Sequence, residues 1–130
     1  MAHIELSWIQ DHTFLGVDST GHSMVLSTPG GAGVKPSENL LIALAACSAV
    51  DTVDILKKQR AQLERLVVSV EAEQDTDPPW MFRRIHLRYR VTATGTTREK
   101  VQRAIDLALN KYCSVRASLH PDVVVTFDVD

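Results

Sequence analysis

The feature that most constrains this chain is an apolar run of eighteen residues, positions 39–56, with Cys47 near its middle. Pro36 suits the first turn of a helix, and Glu38 favours the positive end of a helix dipole. We therefore predict a long helix from Pro36 to about Arg60, where basic residues suit the negative end of the dipole. Its first four turns are apolar nearly all round, so the helix must be buried on most sides.

The length of 130 residues predicts a single domain, residues 1–130, with one core that buries roughly two-thirds of the surface of the unfolded chain. Such a chain has little material to cover a helix that is apolar on all sides, which indicates that a second subunit covers it. An apolar content of 45% and a charged content of 23% are typical of a soluble globular protein. The net charge of −2 gives no sign of a nucleic-acid or membrane partner.

Targeting and redox signals favour a cytoplasmic protein. The first ten residues lack the basic region of a signal peptide. Asp51 and Asp54 interrupt the best candidate for a membrane-spanning segment, so we expect no such segment. Two cysteines do not make a disulfide scaffold, and a reduced compartment is therefore expected.

The other elements follow from period-2 and helical patterns. Short alternating runs separated by turn residues predict strands, and a second helix begins at a predicted capping box, Thr96-x-x-Glu99. The predicted strands are Ile4–Gln10, Thr13–Asp18, His22–Thr28, a hairpin with one arm through residues 66–73 and the other through residues 84–93, and Val123–Asp130. The order is βββ-α-ββ-α-β, which predicts an α+β fold.

The two cysteines, Cys47 and Cys113, lie 66 positions apart on the two predicted helices. Cys113 follows Leu109 by four residues and so points toward the buried face of the second helix. Free cysteines in such places are most often inert core residues. If the two sulfurs approach, however, one thiolate could attack an oxidant and the other could resolve the sulfenic acid. Spacing alone leaves both interpretations open.

Two segments resemble a known family. The stretch Pro36-Ser-Glu-Asn-Leu-Leu-Ile-Ala-Leu-Ala-Ala-Cys47 resembles the first-cysteine motif of the OsmC/Ohr family of organic hydroperoxide reductases, and Ala108-Leu-Asn-Lys-Tyr-Cys113-Ser-Val resembles its second-cysteine segment. The order of elements is also similar. The resemblance implies an intertwined homodimer whose active sites lie at the subunit interface. It implies thiol peroxidase chemistry on hydroperoxides without a cofactor, with Cys47 as peroxidatic thiol, Cys113 as resolving thiol and an external dithiol as reductant.

The activating residues differ from those of the well-studied branches, which use an N-terminal arginine and a glutamate ten residues before the first cysteine. Here no arginine precedes Arg60, and Ser37 occupies the glutamate position. The chain is therefore more similar to the branch of YhfA-like proteins. A buried thiol needs a nearby cation to ionise, and a mid-helix Cys47 gains nothing from a helix N-terminus.

We take three residues as candidate activators of Cys47. Lys35 precedes the helix, and Arg116 follows Cys113 by three residues. Glu38, nine positions before Cys47, would have to be re-aimed to replace the family glutamate.

Other polar patterns carry weaker signals. Asp51 and Asp54 could form an acid–base pair, although an ion pair or cap is favoured. The five histidines show no metal-ligand spacing, so we expect no metal site. A basic stripe, residues 84, 86, 88 and 90, is better explained by cross-strand ion pairs with Glu71 and Glu73 than by nucleic-acid binding. Trp8 is expected in the core.

The alternative to a peroxidase is a non-catalytic dimer that binds a small apolar ligand.

Overall fold

The computed structural model describes residues 1–130. The order βββ-α-ββ-α-β is confirmed, with a π-helical turn and a short third helix added between the second long helix and the last strand. The elements are β1 Glu5–Gln10, β2 Thr13–Val17, β3 Ser23–Ser27, α1 Pro36–Lys58, β4 Gln62–Gln74, β5 Phe82–Thr94, α2 Arg98–Leu107, the π-helical turn Ala108–Tyr112, α3 Ser114–Ala117 and β6 Val124–Val129.

The chain divides into two compact units, Met1–Ile42 and Ala43–Asp130. The single domain predicted over residues 1–130 stays a prediction. In the first unit, β1, β2 and β3 form an antiparallel meander. The loop after β3 folds back so closely that a Cβ on Gly33 would stand 2.6 Å from the main chain of Leu26. Glycine is therefore required there by close backbone approach.

The second unit contains a three-stranded sheet in the order β4-β5-β6, antiparallel at the first pairing and parallel at the second. Because side chains alternate along a strand, β5 has one buried face and one wet face. Ile85, Leu87 and Tyr89 are each at most 1% exposed on the buried face. Two helices cover that face. Their fully buried residues include Leu44, Ser48, Thr52 and Leu56 of α1 and Ala104 and Ile105 of α2.

Within one chain, α1 is buried on one side only. Val50 is 62% exposed and Val53 is 39% exposed. The prediction of burial on most sides is therefore not met by a single subunit. Trp8, expected in the core, is 67% exposed on β1. Large exposed apolar surface of this kind marks interaction sites in soluble proteins.

By length and composition, α1 is apolar enough to cross a membrane. The prediction that no segment is long and apolar enough to span a membrane is wrong by this measure. Asp51 and Asp54 are too few charges to disqualify α1. On one side of α1, however, Leu44 and Leu56 are fully buried within the second unit.

The start of α2 differs from the predicted capping box. Thr97, not Thr96, is the N-cap: its backbone is extended (φ −123°, ψ 162°) and its side chain accepts a hydrogen bond from the N–H of Lys100 at 3.2 Å. The Thr96 hydroxyl is buried without a partner. Which of two adjacent threonines becomes the N-cap depends on which residue has the last non-helical backbone conformation. The identity of the two residues does not decide that, because both are threonine.

Candidate active site

Cys47 lies at the margin of the buried face of α1. Leu44 and Ser48 are fully buried, whereas Cys47 is half-buried. One residue is about 100° around a helix, so Cys47 projects beside the row that contacts the core. The thiol is therefore accessible in part, in contrast to the inert core cysteine that composition alone would suggest.

A buried hydrogen bond fixes α1 against β5 next to this thiol. The hydroxyl of Ser48 donates to the carbonyl of Ala45 at 2.9 Å and lies 2.7 Å from the hydroxyl of Tyr89. Since serine has only one hydroxyl proton, Tyr89 must be the donor to Ser48. This contact joins α1 to β5 one residue away from Cys47.

Cys113 is almost fully buried, at 3% exposure, and lies between two helical segments. The π-helical turn ends at Tyr112, and the extended backbone of Cys113 (φ −77°, ψ 109°) interrupts the helix. Its Sγ then accepts a hydrogen bond from the main-chain N–H of Arg116 at 3.3 Å. Cys113 is thus the N-cap of α3, a role usually taken by serine, threonine, aspartate or asparagine.

The start of α3 meets Cys47. The hydroxyl of Ser114 lies 3.8 Å from Cys47 Sγ, within hydrogen-bonding distance for sulfur, although the two residues are 67 positions apart. The Cys113 side chain lies close enough to Cys47 for each thiol to shift the pKa of the other. The fold therefore brings together both cysteines that the sequence singled out.

The two thiols have pKa values displaced in opposite directions. The pKa of Cys47 is lowered, chiefly because the main-chain N–H of Val115 donates to its sulfur, with further hydrogen bonds from Cys113 and Ser114 that outweigh partial burial. The pKa of Cys113 is raised, chiefly by burial and also by the charge of the neighbouring Cys47 thiolate. A nucleophile that ionises readily beside a thiol that keeps its proton is the arrangement a two-cysteine reaction needs.

The source of activation therefore differs from that expected. Cys47 is mid-helix in α1, but the N-terminal turn of a different helix, α3, supplies main-chain N–H groups to it. We expected no help from the N-terminus of α1 itself, whereas the pKa of Cys47 is lowered chiefly by a main-chain group of Val115, which is distant in sequence. Sequence reasoning missed Ser114 and Val115, although the Cys-Ser pair at 113–114 was a usable signal.

The three candidate activators lie as follows. Lys35 and Glu38 are exposed at the start of α1 and form an ion pair with each other at 3.6 Å. Arg116 offers its main-chain N–H to Cys113, while its side-chain Nε is buried without a hydrogen-bond partner. A catalytic role for any of the three stays a prediction.

The remaining polar groups lie as follows. Asp51 is half-buried and Asp54 exposed, so their role stays a prediction. No group of three histidine, cysteine, aspartate or glutamate side chains is close enough together to hold a metal ion.

The basic stripe on β5 is paired with acidic groups, in part as expected. Arg84 contacts Glu73 at 3.8 Å. Asp128 on β6, which was not foreseen, binds Arg88 at 3.0 Å and His86 at 3.1 Å. These contacts lower the pKa of Asp128, chiefly through its hydrogen bonds with Arg88.

Comparison with known proteins places this geometry in a family. Residues 29–128 match the family model described as OsmC-like protein. Protein YhfA of Escherichia coli (strain K12) is 34% identical over 122 residues, which cover 93% of this chain and 91% of YhfA. The chain belongs to the OsmC-like family.

Two solved structures show the same OsmC-like architecture. A hypothetical protein from Aquifex aeolicus superimposes with a TM-score of 0.83 at 25% identity, covering 100% of this chain and 96% of that one. An organic hydroperoxide resistance protein OsmC from Legionella pneumophila, at 16% identity, has the same fold with a TM-score of 0.72 and coverage of 100% and 96%. The predicted α+β OsmC-like fold, the resemblance to the OsmC/Ohr family and the similarity to YhfA are thereby confirmed.

Proposed function

We propose that this OsmC-like protein is a thiol-dependent peroxidase that reduces organic hydroperoxides, and inorganic ones more slowly, in defence against oxidative stress. The observation that supports the proposal is the contact of Cys47 Sγ with the hydroxyl of Ser114, the residue after Cys113, at 3.8 Å, together with a lowered pKa of Cys47 and a raised pKa of Cys113. The Legionella pneumophila relative, named as an organic hydroperoxide resistance protein, supports the same chemistry.

The first step is attack by the Cys47 thiolate on the outer oxygen of the hydroperoxide. An S–O bond forms, the O–O bond breaks, and the alkoxide that leaves takes a proton from water to become the alcohol. Cys47 is oxidised to a sulfenic acid and the peroxide is reduced. The N–H groups at the start of α3 stabilise the thiolate before attack and replace the arginine used elsewhere in the family.

The second step resolves the sulfenic acid. The sulfur of Cys113 attacks Cys47 Sγ, an S–S bond forms, and the hydroxyl leaves as water with the proton that Cys113 carried. An external dithiol then reduces the disulfide and is itself oxidised. All electrons come from thiols, so these steps require neither a metal nor another cofactor.

The proposal includes a cytoplasmic homodimer. The exposed apolar face of α1, with Val50 and Val53, is suited to burial against a second copy of the chain. Cytoplasmic reductants would keep both thiols reduced between turnovers. An apolar neighbourhood favours organic peroxides, with Ala43 and Ala46 beside Cys47. Leu44, three residues before Cys47, is fully buried in the core and does not line the site.

The test is consumption of cumene hydroperoxide in the presence of a small dithiol. The parent protein should turn over, Cys47→Ser should lose activity at least a hundredfold, and Cys113→Ser should form a stable sulfenic acid without an intramolecular disulfide. A Cys47→Ser protein as fast as the parent would refute the proposal.

A second function is favoured by one observation. The first unit contains an open apolar groove of about 360 Å³, a size that fits a small ligand. Its lining includes Ile4, Leu6, Met24 and Leu26. A parent protein that forms no disulfide with one equivalent of peroxide, yet binds a small apolar dye, would support a non-catalytic binding protein instead.

A further inference from the structure

The hydroxyl of Ser114 is the side-chain oxygen in contact with the Cys47 sulfur, at 3.8 Å. It makes no other hydrogen bond in the structure. Its proton is therefore free to be donated. Ser48, adjacent to Cys47 in sequence, is different because its proton is committed to the carbonyl of Ala45.

The position of Ser114 is well defined although its side chain is exposed. On one side, the cap bond from the N–H of Arg116 to Cys113 Sγ, 3.3 Å long, begins the helix at this residue. On the other, the carbonyl of Ser114 accepts hydrogen bonds from the hydroxyl of Ser118 at 2.8 Å and from its N–H at 3.1 Å. The hydroxyl is thus held on the first turn of α3, the turn that faces Cys47.

The ionisation state of the Cys47 sulfur decides which of the two groups, the thiol or the Ser114 hydroxyl, donates the hydrogen bond. Either group can donate when Cys47 is a thiol, but a thiolate can only accept. Hydrogen bonds to a charged acceptor are about twice as strong as neutral ones. The contact therefore strengthens when Cys47 ionises, which favours the thiolate over the thiol and lowers the pKa of Cys47.

We propose that Ser114 is a third catalytic residue of this site, whose hydroxyl donates to the Cys47 thiolate before attack and to the sulfenic oxygen after it. This role rests on the proposed peroxidase function. No covalent bond to Ser114 forms at any stage, and its proton stays on its own oxygen. Cys47 would then be activated by neutral donors from residues 114 and 115 rather than by a side-chain cation.

The test compares Ser114→Thr with Ser114→Val, since the two side chains have nearly the same shape and only threonine keeps the hydroxyl. For each variant, two rates are measured across pH: alkylation of Cys47 by iodoacetamide, located by peptide mass spectrometry, and reaction with cumene hydroperoxide. Ser114→Val should move the alkylation profile to higher pH and slow both reactions at pH 7 by about 3- to 10-fold. Ser114→Thr should restore most of the parent rate.

Ser69→Ala is the control, since it removes an exposed serine hydroxyl whose partner is Arg90 and which contacts neither Cys47 nor Ser114. It should leave both profiles close to those of the parent. Identical profiles for the threonine and valine variants would overturn the role of Ser114, even if the parent is an efficient peroxidase. If the parent consumes no peroxide, the proposed function fails, while the alkylation profiles still decide whether Ser114 holds the thiolate.

Discussion

Cys113 Sγ accepts a hydrogen bond from the main-chain N–H of Arg116 at 3.3 Å, so the proposed resolving thiol is also the cap of α3. The same short helix supplies the N–H groups that lower the pKa of Cys47. Loss of Cys113 therefore removes a redox partner and also weakens the element that activates the nucleophile.

Serine and alanine at position 113 should separate these two roles. Cys113→Ser keeps a cap acceptor, so the Cys47 alkylation profile should stay close to that of the parent while the disulfide is lost. Cys113→Ala also removes the cap, so the alkylation profile should move to higher pH and the free energy of unfolding should fall by about 1 kcal/mol more than in the serine variant. Equal alkylation profiles in the two variants would contradict a capping role.

The opposite displacement of the two thiol pKa values predicts the order in which they are alkylated. The pKa of Cys47 lies below the ordinary value of 9.0 and that of Cys113 above it. At pH 7 a substoichiometric amount of iodoacetamide should therefore label Cys47 first. As pH rises further the preference should shrink, because the raised pKa of Cys113 makes it ionise only after Cys47 has done so. Peptide mass spectrometry gives the ratio, and a preference that grows with pH would oppose the assignment.

The buried contact between Ser48 and Tyr89, 2.7 Å long, should contribute to stability. Tyr89→Phe removes the donor while Ser48 keeps its bond to the Ala45 carbonyl, so the loss should be about 0.5–1.5 kcal/mol in urea denaturation. Tyr112→Phe is the matched control, since Tyr112 is 54% exposed, and it should change stability by much less. Equal effects from both substitutions would show that the buried bond contributes nothing.

The two threonines at the start of α2 should respond differently to substitution. Thr97→Ala removes the N-cap and should destabilise the protein by roughly 0.5–2 kcal/mol. Thr96→Val replaces a buried hydroxyl that has no partner, so it should be neutral or stabilising. Thermal unfolding of the two variants measures the difference, and the reverse order would restore the capping box predicted from the sequence.

The exposed valines of α1 should lie in a subunit interface. The parent should run in light scattering at twice its mass of 14.4 kDa. Val50→Asp should shift it toward the monomer, because a charge buried in an apolar interface is costly. Val124→Asp, which changes a valine exposed on β6, is the control and should leave the dimer intact. A monomeric parent would rule out the homodimer.

The elements of this fold could be predicted because they rest on local patterns. Alternation with period 2 marked the strands, and the run around Cys47 marked α1 to within two residues of its end at Lys58. The main departures of the structure from these predictions arise in two situations. Either two neighbouring residues compete for one structural position, or the surface of a second subunit would be needed to bury a side chain. The cap fell on Thr97 rather than Thr96, and Val50 on α1 is exposed within one subunit.

By itself, the sequence determined the order of elements and the presence of one cysteine in each long helical pattern. Only the tertiary structure decided what surrounds Cys47. The hydroxyl of Ser114 contacts its sulfur, and a main-chain group of Val115 lowers its pKa, from 67 or more positions away and just after the helix has been interrupted at Cys113. Main-chain donors are present at nearly every residue, so no side-chain pattern distinguishes them. Their effect on a thiol depends on direction and distance, which exist only once the helices have packed.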